Sequence, residues 1–279
     1  MIWLNAELRP AQGALSANDR GLLLGEAVFE TILLKNRVPQ FWQPHLERLM
    51  AACAYAGLAT PYDSDTLRQA VDAICAEHEP ADRQVLRITV TGGDGGRGLV
   101  PAQQTAPNWM LQISPAPPPP DLWRLVETAH QRDSGTVWHK TTAYLENIRA
   151  RREALALGGD EALLFNQHDD LACAATGNLF LGYNNRLLTP RLSDGALAGI
   201  IRQQVLALQS VTVDGHHWQI SEAAISRQTT NEAQFILLTN SVMQVVACYI
   251  APEGGRGTSK RQAQKMAAHL NDALPYCNA

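Results

Sequence analysis

The chain has 279 residues, of which 46% are apolar and 18% charged, with a formal net charge of −4. That balance excludes disordered and collagen-like sequence and reads as a folded globular protein. At this length one large domain or two ordinary ones can bury a core without disulfides or structural metal. Five cysteines, Cys53, Cys75, Cys173, Cys248 and Cys277, are scattered, form no CxxC pair and leave an odd one over. Neither a disulfide framework nor a zinc cage is expected, and a cytoplasmic location is.

No apolar run approaches the roughly 20 residues that span a bilayer, and the amino terminus lacks the order of a signal peptide. The slightly acidic chain has no basic cluster, so neither nucleic acid nor membrane is an expected partner. Only Lys35, Lys140, Lys260 and Lys265 carry a primary amine on their side chains. Chemistry that needs such an amine therefore has few candidates.

In chain order, Met1-Ile2-Trp3-Leu4 reads as the start of a strand. Leu46, Leu49, Met50 and Cys53 recur at helical spacing behind Pro44, and Leu67, Val71 and Ile74 follow Ser64-Asp65, which predicts two amphipathic helices. Val85 to Thr91 and Trp109 to Ser114 are apolar or β-branched runs, predicted as paired strands around a functional loop that begins Gly92-Gly93-Asp94-Gly95-Gly96-Arg97-Gly98. The proline-rich stretch 114–121 predicts a stiff connector between a smaller domain, 1–113, and a larger one, 122–279.

Beyond the connector, strands are predicted at Trp123 to Ala129, Glu161 to Asn166, Asn178 to Gly182, Gln234 to Thr239 and Met243 to Ile250. Helices are predicted at about Thr142 to Leu157, at Ile200 to Leu208, and at Ser259 to Leu274 after the break Gly254-Gly255-Arg256-Gly257. The mixture lacks a regular βαβ alternation, which indicates an α+β fold. His216-His217 reads as a solvated turn, because adjacent histidines point apart on a strand and further metal ligands are lacking.

Lys140 stands in Trp138-His139-Lys140-Thr141-Thr142-Ala143-Tyr144, just before a helix and among groups that would shield an amine from water. A shielded lysine is a nucleophile toward carbonyls, although a surface lysine at a helix start is as good a reading of the local sequence. Gly199-Ile200-Ile201-Arg202 opens a helix in the manner of an anion cup. Thr239-Asn240-Ser241 ends a strand in three polar residues, and Arg48 sits beside the apolar face of the first helix.

Taken in order, these pieces resemble the class IV aminotransferases, the fold-type IV pyridoxal-phosphate enzymes that include branched-chain aminotransferase, D-amino acid aminotransferase and aminodeoxychorismate lyase. The resemblance is carried by Asp19-Arg20-Gly21, Gly25-Glu26-Ala27-Val28-Phe29-Glu30-Thr31, His45-Leu46-Glu47-Arg48-Leu49, Lys140, Gly159-Asp160-Glu161-Ala162-Leu163, Asn178-Leu179-Phe180, Leu188-Thr189-Pro190 and Gly199-Ile200-Ile201-Arg202. It implies a two-domain fold that binds pyridoxal phosphate and forms a homodimer. By the family's pattern Lys140 bonds the cofactor and moves the proton, and Arg48 holds the phosphate with the amides of Ile200 and Ile201 and with Asn240 and Ser241. Leu197 packs on the ring.

Within the family, the glycine-rich loop is most similar to that of aminodeoxychorismate lyase, which makes Arg97 the expected partner of a substrate carboxylate, a shape its fork matches. Gly92 and Leu99 depart from that pattern. The largest departure is Cys173, at the place where the family has a glutamate facing the pyridine nitrogen, five residues before Asn178. The resemblance implies conversion of 4-amino-4-deoxychorismate to 4-aminobenzoate and pyruvate. The alternatives are a D- or branched-chain amino acid aminotransferase, or a cofactor-free homologue that binds a carboxylate or a protein.

Overall fold

The computed structural model of the protein describes residues 1–96, 98–100, 105–133, 139–250 and 258–276. Arg97, Cys277 and the break at 254–257 lie outside the described residues, as does Trp138 beside Lys140. The chain divides into two compact units, one of residues 1–117, 139–143 and 276–279, the other of 118–138 and 144–275.

The first unit contains β1 (Ile2–Leu4), β2 (Glu7–Arg9), α1 (Arg20–Leu24), β3 (Ala27–Lys35), β4 (Val38–Pro39), α2 (Trp42–Ala56), α3 (Ser64–Ala76), β5 (Arg83–Thr91) and β6 (Asn108–Pro115). Its strands form one sheet in the order β2-β1-β6-β5-β3-β4, antiparallel at each pairing. Alternation along β3 sends Val28, Ile32 and Leu34 to the core, where they meet Leu46, Leu49 and Cys53 of α2 and Leu67, Val71 and Ile74 of α3. Asp63 starts α3 by accepting from the Thr66 amide, and Gly57 ends α2 in the left-handed region, φ 68°.

The second unit contains β7 (Trp123–Arg132), α4 (Leu145–Ala156), β8 (Glu161–Asn166), β9 (Leu171–Ala174), β10 (Asn178–Tyr183), β11 (Arg186–Pro190), α5 (Ile200–Ala207), β12 (Ser210–Val213), β13 (His216–Ala223), α6 (Arg227–Asn231), β14 (Phe235–Asn240), β15 (Gln244–Ile250) and α7 (Lys260–Ala273). Nine strands form a mixed sheet, β12-β13-β11-β10-β14-β15-β7-β8-β9. The architecture is α+β, as the mixed pattern predicts. Antiparallel pairs carry most of the sheet, and among the described residues parallel pairing is confined to β11 with β13, β15 with β7 and β7 with β8.

The boundaries differ from the sequence reading in three places. Residues 139–143 do not cluster with the rest of 122–279. They add to the edge of β3, where Phe29 N donates to Lys140 O (2.9 Å) and Thr142 N to Ala27 O (2.9 Å). That edge is available because β4 is short and pairs only with Leu34 and Lys35. Ser114 and Pro115 belong to β6 rather than to a connector, and the units part at Pro117. His216 and His217 open β13 instead of forming a turn, and both are exposed.

Candidate active site

Lys140 is held at its backbone by β3, and its neighbour His139 stacks on Tyr55 of α2 at 4.3 Å between ring centroids. Its ammonium lies 4.3 Å from the centroid of Phe29, a buried ring that Arg87 of β5 also approaches, at 3.8 Å. Two cations therefore share one aromatic ring, each attracted by its electron-rich face. By the two centroid distances they stand at most about 8 Å apart, a spacing at which both can serve a small anionic ligand.

The next residue along β3, Glu30, points the other way, into the row of Val28, Ile32 and Leu34. It is 1% exposed, so its charge needs partners. Arg48 supplies a fork, with Nε to Oε1 and Nη2 to Oε2 both at 2.7 Å, and His45 Nδ1 lies 2.7 Å from Oε2. His45 and Arg48 reach the same carboxylate because i and i+3 lie on one face of α2. Burial by itself would raise the Glu30 carboxyl, but the charge and hydrogen bonds of Arg48 and His45 prevail and bring it down to about 2. Burial also lowers the His45 imidazole, against the pull of Glu30, so the ring is neutral. A neutral ring facing a carboxylate carries its proton on Nδ1. That leaves Nε2 as a buried acceptor with no partner among the described residues.

Asp19 and Arg20 form a mould for the glycine-rich loop. Buried Asp19 caps α1 through the Gly21 amide and accepts from Thr91 Oγ1 (2.6 Å) and Asn108 Nδ2 (2.8 Å). Arg20, 2% exposed, pairs with Glu26 and donates to the carbonyls of Gly98 (2.8 Å) and Leu99 (2.9 Å). Gly95 packs against the Arg20 side chain where a Cβ would collide, and Gly93 takes φ 68°. Arg97, the expected carboxylate partner, lies outside the described residues.

In the second unit, Asn178 ties together Leu197, the start of α5 and the end of β14. Its Nδ2 donates to Leu197 O (2.8 Å), its side chain leaves Gly199 no room for a Cβ, and on β10 it pairs with Thr239 beside Asn240. Gly199 caps α5 without a side-chain hydrogen bond, so no side chain competes for the first amides, those of Ile200 and Ile201. Asn240 Oδ1 accepts from Val242 N (3.1 Å) and Met243 N (2.8 Å), which fixes the turn that contains Ser241. Thr239 Oγ1 is buried without a partner among the described residues. The phosphate portion of pyridoxal phosphate fits this donor set.

Cys173 faces the opposite demand. It is 6% exposed and packs in a cluster of Ala150 and Ala154 of α4 with Ala162, Leu164, Ala172 and Ala175. Burial pushes its thiol up to about 11, only partly offset by Arg132, so it is protonated and neutral near pH 7. The buried carboxylate nearby, Glu161, is bound to Thr176 Oγ1 and the Ala162 amide, and burial raises its pKa. Among the described residues no group of three His, Cys, Asp or Glu could hold a metal ion.

The amino-transferase class IV family model matches residues 27–248. The chain belongs to the class IV aminotransferase family. It is 24% identical over 263 residues to an aminodeoxychorismate lyase of Vibrio harveyi, covering 91% of this chain and 93% of that one. It is 28% identical over 213 residues to a putative branched-chain-amino-acid aminotransferase of Methanocaldococcus jannaschii, covering 74% of each. Among solved structures, a putative 4-amino-4-deoxychorismate lyase of Legionella pneumophila superposes with a TM-score of 0.82 at 26% identity, over 95% of this chain and 96% of that one. The solved structure shares the fold-type IV architecture expected from the sequence, and members of the family use pyridoxal phosphate.

Glu30, His45, Arg87 and Phe29 received no role from sequence. Glu30 and His45 lie inside segments that carry the family resemblance, but the contacts of Glu30 with His45 and Arg48 join residues 15 and 18 positions apart on different elements. The one local signal is an acidic residue in register with apolar ones along Val28-Phe29-Glu30-Thr31-Ile32.

Proposed function

We propose that the chain is a pyridoxal-phosphate-dependent lyase that converts 4-amino-4-deoxychorismate to 4-aminobenzoate and pyruvate. When bound, the cofactor supplies a carbonyl that bonds amines and withdraws electrons from the adjacent carbon. By the family resemblance, Arg48, the amides of Ile200 and Ile201, Asn240 and Ser241 are the groups given to its phosphate. Leu197 is given to the ring face. Lys140 Nζ removes a proton from the substrate carbon and returns one to the departing enolpyruvyl group. The substrate carries two carboxylates, for which Arg97 and Arg87 are the two guanidinium partners in this reading.

The observation that favours the lyase over a transaminase is the neutral, apolar setting of Cys173. A protonated thiol holds a proton on a ring nitrogen far less firmly than a carboxylate does, which weakens electron withdrawal. Transamination depends on that withdrawal throughout. Elimination of pyruvate is driven in addition by formation of an aromatic ring. A branched-chain or D-amino acid aminotransferase is the second reading, supported by the Methanocaldococcus relative. A cytoplasmic homodimer belongs to the same proposal. The exposed run Leu22, Leu23 and Leu24 suits burial against a second copy, and no helix of the described residues is long and apolar enough to cross a membrane.

The test is direct. The purified protein with pyridoxal phosphate is assayed for 4-aminobenzoate and pyruvate from aminodeoxychorismate, and for amino transfer from D- and branched-chain amino acids. Equimolar 4-aminobenzoate and pyruvate, lost in Lys140→Ala, is the expected result. Amino transfer without 4-aminobenzoate would replace this reading with the second one.

A further inference from the structure

Glu30 is a fully buried carboxylate whose two oxygens are taken up by Arg48 and His45. We infer that Glu30 is a positioning residue, which fixes the plane of the Arg48 guanidinium so that it binds a phosphate group, with His45 as the brace of Glu30. This inference rests on the reading of Arg48 as a phosphate partner.

An arginine side chain has several rotatable bonds, and ordering it for a ligand costs conformational entropy at the moment of binding. Glu30 removes that cost in advance. The bonds at Nε and Nη2, both 2.7 Å, engage one edge of the guanidinium and determine both its plane and its rotation. Arg48 is 14% exposed, whereas Glu30 and His45 are 1% and 0% exposed, so the carboxylate and its brace lie behind the guanidinium on the core side.

The alternative role for such a carboxylate is to neutralise Arg48 and so to weaken its attraction for an anion. The geometry favours positioning, because a two-point contact made through Nε is directional, and because His45 adds a third bond that holds the Glu30 carboxylate in place. His45 is neutral and contributes no charge of its own.

The experiment compares pyridoxal phosphate with pyridoxal, which lacks the phosphate, in wild type, Glu30→Gln, Arg48→Gln and the double variant, by absorbance titration and by borohydride marking of Lys140. In Glu30→Gln, affinity for pyridoxal phosphate is expected to fall about ten- to a hundredfold, the range for one hydrogen bond to a charged group. Affinity for pyridoxal should change less than about twofold. The double variant should bind pyridoxal phosphate no more weakly than Arg48→Gln alone, because Glu30 acts only through Arg48. Glu30→Asp keeps the charge and retracts it by one methylene. It should fold and lose part of the discrimination, which keeps the inference testable if Glu30→Gln unfolds.

Equal weakening of both ligands, multiplicative effects of the two substitutions, or tighter binding of pyridoxal phosphate by Glu30→Gln would each overturn the inference while the cofactor reading stands. If the wild type binds neither ligand and Lys140 stays unmarked, the cofactor reading itself fails, and the inference with it.

Discussion

Replacing Glu30 with glutamine should make the protein's acid stability profile flatter as well as lower. In the native protein, Arg48 and His45 overcome the effect of burial and hold this carboxyl at about 2, against an ordinary value of 4.5. A carboxyl whose pKa is lower in the folded state stabilises that state fully above its unfolded pKa, and the contribution is lost as pH falls through the unfolded value toward the folded one. At about 1.4 kcal/mol per pH unit the gap amounts to roughly 3 kcal/mol, of which about 2 kcal/mol has gone by about pH 3. Glutamine cannot titrate. In urea unfolding followed from about pH 7 to about pH 3, Glu30→Gln is therefore expected to be less stable than wild type at neutral pH, by about 3 to 5 kcal/mol for a broken buried pair. That difference should narrow by about 2 kcal/mol at the acid end. A difference that stays constant over the whole range would show that Glu30 is not an ionised partner of Arg48 and would refute the reasoning.

Arg20→Met should cost about 3 kcal/mol or more, because it strands Glu26 and two loop carbonyls, and it should speed hydrogen exchange at the amides of Gly93 to Leu99 selectively. Unchanged exchange there would contradict the mould. Gly199→Ala places a methyl group against Asn178 and should weaken pyridoxal phosphate binding by more than about tenfold with little effect on pyridoxal, checked by titration. Cys173→Glu puts a carboxylate near Arg132, which should keep it ionised, and the variant should gain amino-transfer activity. No gain with any amino donor would refute the account of the missing carboxylate.

The elements that sequence predicted well are those whose pattern is local. α2 and α3 announce themselves by apolar spacing, with α3 opening at Ser64-Asp65 as read, and Glu161 to Asn166 is predicted as a strand and found as β8, residue for residue. β12 escaped because it is a four-residue, partly exposed strand, and the eight-residue β13 because its first two residues, His216 and His217, are polar and exposed; pairing with each other and with β11 supplies the order. The position of Lys140 was legible from its surroundings in sequence. Its attachment to the first unit was not, since it depends on how far β4 extends along β3. The same holds for the site. Gly199 and Asn240 sit at a recognisable helix start and strand end, and Arg48 lies within a helix of clear apolar spacing, whereas the Glu30 pair and the ring shared by Lys140 and Arg87 are products of tertiary packing. Cys173 was conspicuous by position alone, and the alanine-lined cluster beneath α4 supplies the reason a small apolar-like thiol is stable there.

The measurement that bears most directly on the central claim is reductive trapping. The protein is mixed with pyridoxal phosphate, reduced with borohydride, digested and analysed by mass. The account predicts an absorption band that reduction abolishes and a single modified peptide, the one containing Lys140. A modification spread over Lys35, Lys260 and Lys265, or no band and no modification, would contradict it.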